Sequence, residues 1–307
     1  MHGTISKTIP PKYFAVDAAV EKTVPPEFSV LDQPKPSRSL GEHFDDFQPI
    51  SLDETNNLAQ MLSRIDNKYV VNFEQFATFL DTIKDQYAVL EIEGRRQFSY
   101  DSCYYDDNFG CYFEHHQGRR QRFKVRTREY VDGGGMKFFE VKLKGLRGKT
   151  EKHRIKSEFV VTPKIEGEYL TMLQDIYFKQ YKKPMPFELR PALKVGYKRC
   201  TLVALQGGER VTVDYQISFA NPHNSDHHVQ VGDGFIIIET KSGDGKGIAD
   251  NALKKLKIKQ ASKCSKYCIG VSLIGSVRKN NNFLATIKQV KKCVIDGENS
   301  GGRNEKN

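Results

Sequence analysis

Three short stretches alternate cations with apolar residues: Arg122-Phe123-Lys124-Val125-Arg126-Thr127-Arg128, Glu140-Val141-Lys142-Leu143-Lys144 and Lys152-His153-Arg154-Ile155-Lys156. A β-strand sends successive side chains to opposite faces. Read as strands, each stretch carries its Arg and Lys on one face, with Phe123 and Val125, Val141 and Leu143, or Ile155 on the other. Three such strands close together in sequence build one sheet with a strongly cationic face. Any one alone reads as the solvated side of an antiparallel sheet. Like charges directly opposite on neighbouring strands destabilise a sheet, so a purely structural surface would mix signs, as Glu140 does. The pattern therefore calls for a highly charged anion. Phosphate chains suit it, because arginine offers bidentate forks to phosphate and lysine offers point charges.

The 307 residues fit one large domain or two ordinary ones, and the net charge of +10 implies an anionic partner. That partner is nucleic acid, an acidic membrane surface or phosphate compounds. No apolar run approaches the roughly 20 residues of a membrane-spanning helix, and the N-terminus has no secretory apolar region. The six cysteines show neither a CxxC pair nor zinc spacing. Their apolar neighbours predict reduced, mostly buried thiols in a cytoplasmic protein. His115-His116 and His227-His228 are possible metal pairs, but adjacent residues point apart on a strand, which favours structural or loop roles.

Pro10, Pro11, Pro25, Pro26, Pro34 and Pro36 mark residues 1–46 as a disordered or loosely attached arm. The folded domain is expected over 47–295, with order beginning near Ile50 and a disordered tail over 296–307. Ser51 and Glu54 form a capping box, followed by a helical stripe of Leu58, Met61 and Leu62. Lys68 to Val71 reads as a strand. Phe73, Phe76, Ala77, Leu80 and Ile83 give a second helix. Residues 87–161 read as strands broken by a turn at Asn108-Phe109-Gly110 and by the Gly133-Gly134-Gly135 loop. Thr162-Pro163 reads as a helix start, with Tyr169, Leu173, Ile176 and Tyr177 inward. Strands follow at 188–217 and Phe235–Thr240, then a Lys-rich helix at 250–262, a strand from Cys268 to Leu273 and a helix near 282–293. This order predicts an α+β fold, an antiparallel sheet or barrel with helices outside.

Two further groups could carry chemistry. Tyr197 and Arg199 share one strand face, and Arg210, Thr212 and Asp214 share another across a Gln206-Gly207-Gly208 turn. The structural alternative is an ordinary Arg–Asp pair on a hairpin, worth little if exposed. Glu239 ends the run Ile236-Ile237-Ile238, at a barrel interior or its mouth. Beside phosphates it is a candidate ligand for Mg²⁺ or Mn²⁺, which take one or two carboxylates plus substrate oxygens. The structural alternative is a salt bridge to Lys241. Gly243-Asp244-Gly245-Lys246-Gly247 lacks P-loop spacing. No aromatic pair of the RNA-binding type stands on a basic strand, so nucleic acid is not expected.

Arg64-Ile65-Asp66-Asn67-Lys68-Tyr69, Arg122 to Tyr130, Phe139 to Lys144, Lys152-His153-Arg154 and Ser265-Lys266-Tyr267 occur in that order. Together they resemble the VTC polyphosphate polymerase domain of the CYTH, or triphosphate tunnel metalloenzyme, superfamily. The resemblance runs from about Phe47 to Ile274 and is closest to the stand-alone prokaryotic members. It implies a closed antiparallel β-barrel, a triphosphate tunnel with flanking helices, whose lumen is lined by Arg and Lys. Lys68 matches the lysine of the first tunnel strand, Arg126 and Arg128 the paired arginines, and Lys142 the lysine of the next strand. Lys152 or Arg154 matches the basic position after that. Tyr197, Arg199 and Arg210 match residues of the later strands. Glu239 matches the metal-binding glutamate, and Lys263, Ser265 and Lys266 match a phosphate-contacting motif at the tunnel end. Arg64 and Lys124 join the substrate-binding set. The family's opening ExExK motif is only imitated, by Glu91-Ile92-Glu93-Gly94-Arg95. Asp106-Asp107-Asn108 departs from the Asp-Thr pair of prokaryotic members, a difference expected to affect a turn only.

The resemblance implies a Mn²⁺- or Mg²⁺-dependent phosphotransferase that adds the γ-phosphoryl group of ATP to polyphosphate. A triphosphatase on the same fold and a non-enzymatic polyphosphate-binding module are the alternatives. Association with a separate membrane protein is open. Lumen charges repel one another, so Arg126→Ala and Lys266→Ala are expected to abolish turnover without loss of folding.

Overall fold

Residues 38–58, 64–144, 150–186 and 188–295 are described by the computed structural model. In chain order the elements are β1 (Gln48–Ile50), α1 (Leu52–Leu58), β2 (Ile65–Val71), α2 (Phe73–Ile83), β3 (Tyr87–Leu90), β4 (Phe98–Asp106), α3 (Gly110–Gln117), β5 (Arg122–Tyr130), β6 (Met136–Lys144) and β7 (Thr150–Lys156). The second half adds α4 (Gly167–Tyr181), β8 (Arg190–Ala204), β9 (Arg210–Asn221), β10 (Asn224–Val231), β11 (Ile236–Ser242), α5 (Ile248–Lys255), α6 (Lys266–Leu273), α7 (Leu284–Lys291) and β12 (Val294–Ile295).

The three cationic stretches are β5, β6 and β7, consecutive antiparallel neighbours. They belong to one antiparallel run, β2-β11-β9-β8-β4-β5-β6-β7. β3 and β10 attach to β8 and β9, and short β1 pairs with β3 in parallel. The sheet curls so far that Lys152 of β7 comes within 3.8 Å of Asp66 of β2. Among the described residues no ladder joins β7 to β2, so the sheet is an open half-barrel rather than the closed barrel expected. The reason lies at the outer edge of β2. Tyr69 there bridges to Gln260, and Ala261 N–H donates to the Lys68 carbonyl at 2.7 Å. A loop segment thus occupies the edge that β7 would need, and an edge already paired cannot take a second strand.

The convex side is apolar. Cys200, Leu202, Val211, Val213, Ile236 and Ile238 pack under α2 and α5, where Phe76, Phe79, Ile83 and Leu253 are almost fully buried. Cys103, Tyr105, Phe123, Val125, Phe139, Val141 and Leu143 pack under α4 through Leu173 and Tyr177. Each such side chain contributes about 1.5–3 kcal/mol by leaving water. On the concave side α6 fills one end of the hollow, burying Tyr267, Cys268, Ile269 and Val271 against Leu193, Val195, Phe219 and Ile237. Gly270 is required at that contact: a Cβ there would lie 2.4 Å from the Phe219 ring and 2.6 Å from Leu193.

Several elements differ from the sequence reading. Cys268–Leu273 is helix α6, not a strand. It is buried nearly all round, so its short apolar run has no period to betray it, and Ser265 caps it by accepting from Cys268 N–H. Residues 110–117 form α3 where a turn between strands was expected. Asn108 and Phe109 take positive φ (50° and 65°), and Asp106 accepts the N–H groups of Cys111 (2.8 Å) and Tyr112 (2.9 Å) at its start. Asp106 also accepts from Tyr267 Oη, so it ties α3 to α6 and does more than shape a turn. Thr162-Pro163 does not open α4. The Thr162 hydroxyl donates to the Lys164 carbonyl in a turn (2.7 Å), and the helix starts at Gly167. The Lys-rich helix ends by Lys255, ahead of Lys257 at φ 58°.

The Ser51–Glu54 capping box is present. Met61 and Leu62 lie outside the described residues, as do most of the N-terminal arm (1–37) and the tail (296–307). Residues 38–46 belong to the folded body, since Leu40 and Phe44 join the core cluster with Phe76. All six cysteines are free, and four are buried. No helix among the described residues is long and apolar enough to cross a membrane.

Candidate functional site

Register fixes what the concave face displays. Lys124, Lys142 and Lys152 stand level on β5, β6 and β7; Arg126, Glu140 and Arg154 form the next row; Arg128, Phe138 and Lys156 the third. Across the hollow, Arg199 of β8 stands opposite Asp214 of β9. Thr212, Glu239 and Lys68 form one row on β9, β11 and β2, and Arg210, Lys241 and Asp66 another. Lys152 and Arg154 are two residues apart and lie on the same face, level with Lys142 and Glu140, so register does not choose between them. The N-terminal end of α6 completes the wall. Lys124 Nζ donates to Ser265 Oγ at 3.0 Å, and Lys266 Nζ donates to the Asp214 carboxylate.

These charges are paired, not merely crowded. Asp214 is fully buried and holds Arg199 through two hydrogen bonds of 2.5 and 2.7 Å, with Lys266 as a second cation. Burial would raise its carboxyl, yet Arg199 and Lys266 keep it well below the usual carboxylate range. Arg126 reaches Glu140 at 2.6 Å and the Tyr104 hydroxyl at 3.0 Å. Against burial, Arg126 and Arg128 bring Glu140 down to about 2. Glu239 lies 2.8 Å from Lys68 and 3.4 Å from Lys241. Burial opposes its ionisation, but Lys241, Lys68 and Arg199 hold it well below a normal glutamate. Tyr197 stacks on Tyr100 (5.2 Å, 7°), and Arg128, Arg199 and Lys266 lie over that pair at 4.5–5.6 Å. The buried Tyr197 hydroxyl has no hydrogen-bond partner.

Two expected site residues are placed differently. Lys263 donates to the His116 carbonyl at 3.1 Å, at the end of α3, where a cation complements the helix dipole. Arg64 sits at the outer end of β2, paired with Asp66 at 3.2 Å. Neither histidine of His115-His116 is a metal pair member. The His115 ring donates to the Phe123 carbonyl (3.0 Å), and His116 packs against Asn282. Glu91-Ile92-Glu93-Gly94-Arg95 is a tight turn on the outside, with Glu91 paired to Arg96. Sequence reasoning missed Tyr100 and Tyr104, and it named Asp214 with Arg210 and Thr212 but not as the counter-charge of Lys266.

The VTC domain profile matches residues 63–274, more than half of the chain. The chain belongs to the VTC domain family. Solved structures similar to this VTC domain include HpAC1 from Hippeastrum, described by a dominant triphosphatase activity (13% identity, 68% of this chain and 95% of that one, TM-score 0.40). The inorganic triphosphatase NE1496 is 12% identical over 60% of this chain and 78% of its own, at TM-score 0.23. The S. pombe RNA triphosphatase Pct1 is 9% identical over 89% and 99%, at 0.26. TM-scores this low carry no argument about the present chain. None of the curated proteins matches the sequence.

Among the described residues, two places stand out as candidates for a divalent ion. Asp106, Asp107 and Cys111 form a buried acidic cluster. Asp106 there already accepts from the N–H groups of Asp107, Cys111 and Tyr112 and from Tyr267, so a cation would face a ring of donors. Glu239 fits better. It is one partly exposed carboxylate on the concave face, and Mg²⁺ or Mn²⁺ needs only one or two when phosphate oxygens supply the rest.

Electrostatics gives a direct test of this face. Arg126, then burial, then Arg128 push Lys142 well below the usual lysine value. A bound phosphate chain offsets those neighbours and restores the proton, so the bound-state pKa lies above the free one. Tripolyphosphate binding at a pH somewhat below the usual lysine value is therefore expected to take up protons. Calorimetry in buffers of differing ionisation heat measures this, and zero uptake would place the ligand away from Lys142.

Proposed function

We propose that this VTC domain is a metal-dependent polyphosphate polymerase, with the half-barrel hollow acting as a tunnel closed on its substrate. The observation that carries the reading is the convergence of Lys68, Arg126, Arg128, Lys142, Arg199 and Lys266 on one hollow that also holds Glu239. Phosphoryl transfer needs positioning and charge neutralisation more than covalent help from the protein. Arg128, Arg199 and Lys266, gathered on the Tyr100–Tyr197 stack, would hold the phosphates being transferred, and Lys124, Lys142 and Lys152 the acceptor chain. A terminal oxygen of that chain, already deprotonated, attacks the γ-phosphorus of ATP; the bond to the β-phosphate oxygen breaks, and ADP leaves. Glu239 would hold Mn²⁺ or Mg²⁺ together with phosphate oxygens, Lys68 and Lys241 turning to the phosphates, and the ion would supply Lewis-acid neutralisation of those oxygens.

One feature favours a triphosphatase instead: the unpaired seam between β7 and β2 is a route for water, and excluding water decides between transfer and hydrolysis. Incubation with ATP, Mn²⁺ and a pyrophosphate primer, resolved on a gel stained for polyphosphate, separates the readings. A ladder supports the polymerase. Orthophosphate without a ladder assigns the hydrolase. Absence of turnover with retained, salt-sensitive binding leaves a phosphate-binding module.

A further inference from the structure

Four aromatic rings cross the concave face on neighbouring strands. Tyr197 of β8 stacks on Tyr100 of β4; Tyr100 meets Tyr130 of β5 edge-on at 5.0 Å; Tyr130 meets Phe138 of β6 edge-on at 5.7 Å. The inner end of this band is the cation hub. Tyr197 and Tyr100 carry Arg128 and Arg199 over their faces, a sufficient structural reason for those two rings. Tyr130 and Phe138 lie beyond the hub and are partly exposed. Phe138 already holds a flat cationic group, the Arg154 guanidinium, 5.0 Å from its centroid. A solvated wall built only to hold phosphate has no use for partly exposed rings. Apolar surface in water is unfavourable, and a planar group stacked on a ring covers it well.

We propose that Tyr130 and Phe138, with Arg154, form a docking surface for the nucleobase of a nucleoside triphosphate whose phosphates reach the Arg128–Arg199–Lys266 hub. The proposal rests on the tunnel reading above and adds to it: the site discriminates nucleotides from bare phosphate chains of similar charge. Every base offers a π-face, so stacking on aromatics and arginine tolerates any base and selects for having one. The rings carry no charge and contribute nothing to a bare chain. Their removal therefore acts on one ligand class alone.

The test measures dissociation constants of ATP and of inorganic tripolyphosphate, with Mg²⁺, for the intact chain and for Tyr130→Leu, Phe138→Leu and Phe138→Trp. Leucine keeps apolar volume, and melting curves confirm that each variant is folded. The expected result is ATP binding weakened about ten- to hundredfold in the leucine variants, tripolyphosphate binding unchanged within about twofold, and ATP binding retained in Phe138→Trp. Equal losses for both ligands, or no loss for either, would overturn the nucleobase surface. If the intact chain binds tripolyphosphate but not ATP, the surface falls and the tunnel stands. If it binds neither, both fall.

Discussion

Asp214→Asn is expected to destabilise the fold by about 3–5 kcal/mol, the range found when one partner is removed from a buried charge pair. Asp214 is wholly buried and serves two cations from different elements, Arg199 on β8 and Lys266 at the start of α6. An asparagine of the same size keeps the packing but leaves both cations facing each other without a counter-charge. The helix that plugs the hollow is then pushed outward. Denaturant midpoints measure the loss. Adding Lys266→Met to Asp214→Asn should restore part of it, because the double variant strands only one cation. A stability change under about 0.5 kcal/mol, the level of an exposed pair, would mean that solvent reaches Asp214. The pH dependence has a definite sign. The folded carboxyl titrates below its unfolded value, so its contribution is complete above the ordinary aspartate range and is lost as the pH falls beneath it.

This corrects the expectation that concave-face substitutions would spare folding. Self-repulsion was weighed from Arg and Lys, with Glu140 noted as mixing in, but the structure interleaves several acids and pairs each with a cation. Glu140 neutralises Arg126, Asp214 neutralises Arg199 and Lys266, and Glu239 neutralises Lys68 and Lys241. Arg126→Ala would strand Glu140, so its effect on turnover must be read beside a melting curve.

What the sequence made legible follows from period. β5, β6 and β7 alternate cations with apolar residues over most of their length, and a one-residue slip would bury a row of charge, so strand and face were legible, though the pairing between strands was not assigned. The strand that carries Glu239 was legible because three isoleucines in a row define a buried strand. β4 was opaque for the opposite reason. Tyr100 and Tyr104 face the hollow while Tyr105 packs outward under α4, and tyrosine on both faces leaves no alternation to read. α6 is buried on every side and has no period. The open seam could not be foreseen, because it depends on a loop, residues 260–261, taking the β2 edge. Loop pairings leave no pattern of apolar spacing. Asp214 was visible as a hairpin partner of Arg199, but its second partner arrives from 52 residues away in the chain.

Glu239→Gln should separate binding from chemistry. Its carboxylate is the one on the concave face positioned between two lysines on adjacent strands, Lys68 at 2.8 Å and Lys241 at 3.4 Å. Metal-dependent turnover is expected to fall by about 10²–10³, as when one preorganised electrostatic partner of a developing charge is removed. Metal-free binding of tripolyphosphate should move the other way. The carboxylate repels phosphate and occupies two ammonium groups that could otherwise receive it. Removing one charge about 8 Å from a phosphate, at an effective dielectric of about 20, contributes about 2 kcal/mol, so binding in EDTA should tighten roughly tenfold or more. Glutamine keeps the size and can still accept from Lys68, which limits the structural disturbance. Loss of both turnover and metal-free binding would mean that Glu239 only holds the two lysines in place. Unchanged turnover would move the metal elsewhere on the hollow. The opposed response, weaker catalysis with tighter binding, is the outcome that a carboxylate poised to share a cation with a phosphate chain requires.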